Sequence, residues 1–302
     1  MDPTDEGAAR GDLVRASASP GLTFDPTRVS PTKTCLVPTL RSRPSPELVE
    51  IRGLALAPRL IDTWVVMAGF PAATADWVQT VSEQGFALLP IRVPTALLSL
   101  LEERPAAVHR EGRRGGQRNL LSDAPGVQPL AQLPALREAV GNVLHAEPFA
   151  VRAILFDKTP EANWKVPWHQ DLTIAVEQRH ERPGFGPWSK KEGVIHTHAP
   201  SSLLGRMLNV RIHLDDCGED NGPLKVLPGT HRHGRLTEDA IEQYKATIAP
   251  VTCIAQRGEV LAFHPLLLHA SSPATRPGHR RVLQLEFAAE TLPAPLQWRW
   301  RV

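Results

Sequence analysis

The residue types with the clearest chemical potential stand in Trp168-His169-Gln170-Asp171 and, much later in the chain, in His264-Pro-Leu-Leu-Leu-His269. On an extended strand, residues two apart point to one face, so His169 and Asp171 can reach a common point. With His269 they make two imidazoles and one carboxylate, the set that holds non-haem iron(II) and leaves coordination positions open. O2 and a co-substrate need those open positions. The chain has 12 histidines, so an HxD pair carries little weight until its surroundings are read. His264 reads as a hydrogen-bonded barrel-end residue. The pair His231-Arg-His233, just after the Pro228-Gly229 turn, reads as part of a barrel-end loop.

Downstream of His269 come Arg280 and Arg281, directly before the apolar run Val282-Leu-Gln-Leu-Glu-Phe. Neighbours on a strand face opposite ways, so one of the two points inward and the other does not. A guanidinium at the mouth of a buried strand is costly unless it meets an anion. It can grip a carboxylate with two parallel hydrogen bonds, and Ser271 is placed to add a third.

Hydrophobic periodicity shows which elements must position these groups. Thr74-Ala-Asp-Trp-Val-Gln-Thr-Val resembles a capped helix start. Residues 85–91 read as a short buried strand, residues 94–103 as a helix opened by proline, and residues 133–144 as a further helix. Strands are expected over 149–156, 207–214, 224–227, 260–263 and 282–287. They are separated by turn signals at Asn221-Gly-Pro223, Pro228-Gly229 and Arg276-Pro-Gly278. Helices first and many short strands afterwards point to an α+β fold, a helical layer on a closed or double β-sheet. Residues 1–60, rich in Pro, Arg, Ser, Thr and Gly, read as a disordered or loosely packed extension, leaving 61–302 as a single domain.

Bulk composition narrows the function classes. Lys plus Arg number 34 against 32 acidic residues, a near-balance that gives no reason to expect nucleic acid or an anionic membrane as partner. The basic cluster Arg110, Arg113, Arg114 and Arg118 is too short to change that. No apolar run approaches the ~20 residues needed to cross a bilayer, and no secretory signal is visible. Three scattered cysteines with no CxxC argue against a zinc ribbon or disulfide scaffold, so the expected compartment is the cytoplasm.

The segments Trp168-His-Gln-Asp171, Asn221-Gly-Pro-Leu-Lys-Val-Leu-Pro-Gly-Thr-His231 and Gly258-Glu-Val-Leu-Ala-Phe-His-Pro-Leu-Leu-Leu-His269-Ala-Ser-Ser, followed by Arg280, closely resemble the phytanoyl-CoA dioxygenase family. The resemblance runs from about Trp77 to Phe287. It implies a double-stranded β-helix (jelly-roll, cupin-like) core with flanking N-terminal helices. It also implies Fe(II) on His169, Asp171 and His269, with 2-oxoglutarate as co-substrate and O2 as oxidant. Arg280 and Ser271 match the family positions that hold the distal carboxylate of 2-oxoglutarate. Arg118 falls where the namesake has a basic residue for the same co-substrate, and Arg211 where the namesake has an aromatic contact. With a carboxylate at position 171, the implied activity is hydroxylation of an unactivated C–H bond of a small molecule, releasing succinate and CO2. Desaturation, epoxidation and ring formation share the same site.

Residues 172–202 form a long excursion expected to roof the site. The excursion carries Trp188, Lys190, Lys191, His196 and His198, and Trp164, Lys165 and Trp168 can line the same opening. Trp168, Trp188 and His196 are the candidate substrate contacts, and the aromatic and cationic lining suits an anionic or zwitterionic small molecule. Two alternatives stand beside this reading: a cupin-type metal enzyme that does not use 2-oxoglutarate, and a catalytically silent jelly-roll binding protein.

Overall fold

The computed structural model describes residues 76–102, 116–124 and 126–302. By chain contacts, one unit covers Val65–Val302 and the other Met1–Trp64. The 1–60 extension, the start at Thr74 and the basic residues Arg110 to Arg114 therefore lie outside the described residues.

The element order is α1 (Asp76–Gln84), β1 (Phe86–Arg92), α2 (Thr95–Glu102), α3 (Leu120–Asp123), α4 (Val127–Ala131), α5 (Pro134–Leu144), β2 (Phe149–Lys158), β3 (Val166–His169), β4 (Thr173–Val176), β5 (Trp188–Lys191), β6 (Val194–His198), α6 (Ser201–Leu204), β7 (Met207–His213), β8 (Leu224–Val226), α7 (Glu238–Thr247), β9 (Val251–Cys253), β10 (Glu259–Phe263), β11 (His269–Ser271) and β12 (Arg280–Ala288). Two sheets form the jelly roll: a five-stranded one in the order β1-β10-β7-β12-β2 and a four-stranded one in the order β3-β11-β8-β9. A third sheet, β4-β6-β5, is built from the excursion expected to be a roof.

Strict alternation divides the long strands into two faces. Leu208, Val210 and Ile212 of β7 and Leu283, Leu285 and Phe287 of β12 join a core cluster with Val81, Leu98, Leu130, Leu136 and Val140 from the helices. Each such side chain contributes about 1.5–3 kcal/mol on burial, which fixes the register because a one-residue slip would turn this row into the interior. The residues between them, Asn209 and Arg211 on β7 and Arg280, Gln284 and Glu286 on β12, face the space between the sheets. The four-stranded sheet closes that space at one end, where Leu224, Val226 and Cys253 pack against Leu261 and Phe263 of β10.

The expectation that helices precede strands fails at α7, which stands between β8 and β9. Its helix start is well specified: Thr237 caps it by accepting from the Ala240 amide at 3.3 Å, with Glu238 and Asp239 in the first turn and Lys245 in the last. It buries no residue, so it lacks the apolar stripe by which helices are found in sequence. Among the described residues no helix is long and apolar enough to cross a membrane.

A candidate metal and anion site

The interior between the two sheets holds a cavity of about 360 Å³. Its floor is β2, whose alternate residues Arg152, Ile154, Phe156 and Lys158 all line it. The sequence of that face is cation, apolar, apolar, cation.

His169 and Asp171 do not share a strand, as first expected, because β3 ends at His169 and β4 begins at Thr173. The chain turns between them, and the turn is held by the intervening Gln170. Its amide donates to the carbonyls of Leu266 (2.7 Å) and Gly234 (2.8 Å) and its oxygen accepts from the Leu236 amide (2.8 Å). The Asp171 amide donates to the Pro265 carbonyl at 2.9 Å. His169 and His269 are direct partners across the antiparallel pair β3–β11, with ring centroids 4.2 Å apart.

The three side chains converge. Nε2 of His169 lies 3.6 Å from Asp171 Oδ1, and Nε2 of His269 lies 3.7 Å from Asp171 Oδ2. One ligand atom from each residue falls within 4.8 Å of the others, a group that could hold a metal ion. Nδ1 of His169 faces the Pro167 carbonyl and Nδ1 of His269 the Leu267 carbonyl, each at 2.8 Å. Donation to those carbonyls places the proton on Nδ1 and leaves both Nε2 lone pairs for a metal. Asn209 Nδ2 (2.8 Å) and Gln284 Nε2 (3.4 Å) donate to Asp171 Oδ2 and fix the carboxylate. Burial alone would raise the Asp171 pKa, but His269, His169 and Arg152 offset it and hold the group ionised, below the usual carboxylate range. Burial and the neighbouring His169 push His269 down to about 4. Both groups therefore present the deprotonated form that a metal requires.

At the other end of β2 three cations meet. Lys158 and Arg280 are direct partners across β2–β12, and Arg211 lies beside them on β7. Their exposures are 1%, 3% and 7%. Lys158 Nζ donates to Ser271 Oγ at 2.7 Å and to the Ser272 carbonyl, and Ser271 Oγ donates to the Gly222 carbonyl at 3.0 Å. The Nε atoms of Arg211 and Arg280 are buried with no hydrogen-bond partner. Burial and the charges of Arg280 and Arg211 push Lys158 down to about 7, while burial and Arg280 push Arg211 down to about 10. Like charges directly opposite on a sheet are destabilising, so a pole of this composition suits an anion.

Arg280 is thus the inward member of its pair. Arg281 is the outward one, donating through Nε (2.9 Å) and Nη2 (2.6 Å) to the Asp215 carboxylate. Ser271 and Arg211 stand with Arg280. Arg118 lines the cavity elsewhere, 3.4 Å from Glu192 and in the neighbourhood of Lys191.

Trp168, Trp188 and His196 are not among the residues that line the cavity. The Trp188 Nε1 donates to Glu181 at 3.2 Å, its ring lies under Arg179, and it packs against the core cluster that includes Ile174 and Val176, so the side chain is engaged away from the cavity. His196 is buried against the Val194 carbonyl, and burial with the charge of Arg152 pushes it down to about 4. The same segment instead contributes Thr173, Lys191 and His198 to the wall, and Trp164 adds the aromatic surface. Sequence reading missed Lys158. The signal was present, because the alternation Arg152, Ile154, Phe156 on β2 continues to it.

Arg152 forms a buried ion pair with Glu286, which also accepts from Gln284 Nε2 at 3.3 Å. Burial works against the Arg152 charge, and Glu286 more than offsets it. Arg152→Ala should leave Glu286 buried and uncompensated and cost about 3–5 kcal/mol, whereas the double replacement by apolar residues should recover most of it. Urea unfolding of the single and double variants checks this.

Fold and site together define a jelly-roll protein with a triad that could hold a metal ion beside a buried cationic pole in one cavity. Residues 81–282 match the model described as phytanoyl-CoA dioxygenase, two thirds of the chain, and the chain belongs to the phytanoyl-CoA dioxygenase family. Membership carries iron(II), 2-oxoglutarate and O2 as the family's metal, co-substrate and oxidant. The chain is 27% identical over 156 residues to the peroxisomal phytanoyl-CoA dioxygenase of Homo sapiens, covering 46% of this chain and 39% of that one. It is 25% identical over 189 residues to the L-proline trans-4-hydroxylase of Streptomyces griseoviridis, covering 52% and 61%. It therefore spans less than two thirds of either relative. Among solved structures, EctD from S. alaskensis with 2-oxoglutarate and 5-hydroxyectoine superposes with a TM-score of 0.54 at 18% identity, covering 78% of this chain and 81% of that one. At that identity the likeness shows the fold.

Proposed function

We propose that this chain is an iron(II)- and 2-oxoglutarate-dependent dioxygenase that hydroxylates an unactivated C–H bond of a small molecule, with release of succinate and CO2. The observation that carries the reading is the pairing of His169, Asp171 and His269 within 4.8 Å with a buried cationic pole in the same cavity. The donor set, two imidazole nitrogens and a carboxylate oxygen, suits iron(II) and leaves positions open. The unpartnered Nε atoms of Arg211 and Arg280 suit the distal carboxylate of 2-oxoglutarate.

Iron(II) bound there supplies the redox chemistry that couples decarboxylation of 2-oxoglutarate to oxidation of the substrate. The chain's own residues do the positioning. His169, Asp171 and His269 hold the metal, while Gln170, Asn209 and Gln284 fix the ligands. Arg280, with Ser271, Arg211 and Lys158, holds the co-substrate at a set distance from the triad. Ile154 and Phe156 line the stretch between the poles and help keep water from it.

One consequence is a pH dependence of co-substrate binding. A carboxylate arriving beside Lys158 adds negative charge and raises its pKa from about 7. Below that value the proton is already present and affinity is flat. Above it, binding takes up a proton, so affinity should weaken as pH rises towards about 9, by up to about tenfold per pH unit. Calorimetry in buffers of different ionisation enthalpy reads the uptake directly, and Lys158→Met should flatten the profile.

The hydroxylation step is tested by product mass with labelled dioxygen. A product that has gained one oxygen atom from O2 supports it. A product that has lost two hydrogens with no added oxygen would replace it with desaturation or ring closure on the same site.

A further inference from the structure

The cavity has a second cationic group, separate from the pole at Arg280. It consists of Lys191 on β5, Arg118 from the segment before α3, and Arg152 on β2, all lining the wall with His198. The two sets answer to different neighbours. Lys158 and Arg211 are depressed by burial and by Arg280, whereas Lys191 is depressed by burial, then by Arg152 and Arg118. Asp171 acts favourably on both Lys191 and Arg211, so both sets feel the charge of the triad.

Within this second set the charges are not equally free. Arg152 is taken by Glu286 and Arg118 stands 3.4 Å from Glu192. Asn119 Nδ2 donates to the Glu192 carbonyl at 3.1 Å, which fastens the Arg118 segment to the turn that carries Lys191. Lys191 has no carboxylate within ion-pair distance among the described residues, although it is half-buried between two arginines. An ammonium half-buried beside like charges is disfavoured unless a ligand neutralises it. Further along the same wall stands His198, which pairs with Thr173 while Lys191 pairs with Val194; its Nδ1 is buried without a hydrogen-bond partner. The charge left over here is that of one monoanion, which fits a carboxylate and leaves a phosphate under-compensated.

Resting on the oxygenase reading above, we propose that Lys191 is the specificity-determining residue that binds a carboxylate of the primary substrate, with the unpartnered Nδ1 of His198 offering a second polar contact further along the same wall. The substrate is then a small carboxylic acid, anchored at Lys191 so that its carbon chain extends over Ile154 towards the triad, while 2-oxoglutarate occupies the Arg280 pole.

The test is calorimetry on the full chain saturated with nickel(II) and 2-oxoglutarate, titrated with L-amino acids and short fatty acids, each beside its amide. At least one acid should bind while its amide does not. Lys191→Met should weaken that acid by about tenfold or more, whereas 2-oxoglutarate affinity should fall by less than about threefold, and Lys191→Arg should restore most of the acid binding. Acids that bind Lys191→Met as tightly as the parent would overturn the proposal. So would amides that bind as well as acids, or a protein that binds 2-oxoglutarate but none of the acids. Failure of 2-oxoglutarate itself to bind would instead remove the oxygenase reading, and this inference with it.

Discussion

Asp171→Ala is expected to lower 2-oxoglutarate turnover by a factor of about 10³ or more while leaving the protein folded. The carboxylate is the one anionic ligand of the cluster, and its neighbours are arranged around its charge. Asn209 and Gln284 donate to it, and His169, His269 and Arg152 hold it ionised. Without it, two imidazoles remain, and the site loses its third protein ligand and its one negative charge. Packing hardly depends on it, since Gln170 and the Asp171 backbone amide hold the turn. His169→Ala should behave alike, because its ring stands half-exposed at the cavity wall. Turnover near the parent level in either variant, with the far-ultraviolet circular dichroism unchanged, would remove these residues from the metal site.

Arg280→Ala should raise the half-saturating 2-oxoglutarate concentration by about a hundredfold, the loss expected for a buried, charge-assisted, two-point contact. Arg281→Ala should change it by less than about threefold. The two neighbours differ only in the face they occupy. Arg280 is buried with an unpartnered Nε, whereas Arg281 is engaged with Asp215 through two donors. Losing Arg281 should therefore appear as reduced stability, with Asp215 keeping only the backbone amide of residue 281 (2.7 Å) in place of the guanidinium, and not as a changed co-substrate requirement. The reverse ranking would show that the wrong member of the pair has been assigned to the anion.

Much of the fold was legible because its long elements obey simple periods. The helix over Pro134–Leu144 and the strands of β2, β7, β10 and β12 are found within one or two residues of where alternation or helical spacing puts them. What stayed hidden has physical causes. The α7 helix buries nothing, so no stripe marks it. The strands β3 to β6, β9 and β11 are three to five residues long, too short for a period of two to declare itself, and their pairing partners lie far off in sequence. At the site, spacing brought His169 and Asp171 together for a reason that does not hold, since a turn and not a strand aligns them. The tertiary hydrogen bonds of Gln170 do the aligning, and no local pattern encodes those. Of the aromatic and cationic residues that composition marks out around the opening, Trp164, Lys191 and His198 line the wall and Trp168, Trp188 and His196 do not. For those on the excursion the choice is made by the pairing of β4, β5 and β6, which no local pattern encodes.

The most direct measurement is the yield of succinate from protein loaded with iron(II) without oxygen and then exposed to O2 in the presence of 2-oxoglutarate. Succinate should form only when iron and 2-oxoglutarate are present together, disappear in Asp171→Ala and rise when a substrate is supplied. Iron bound at the triad with no succinate formed, or oxygen consumed equally with and without 2-oxoglutarate, would contradict the oxygenase reading.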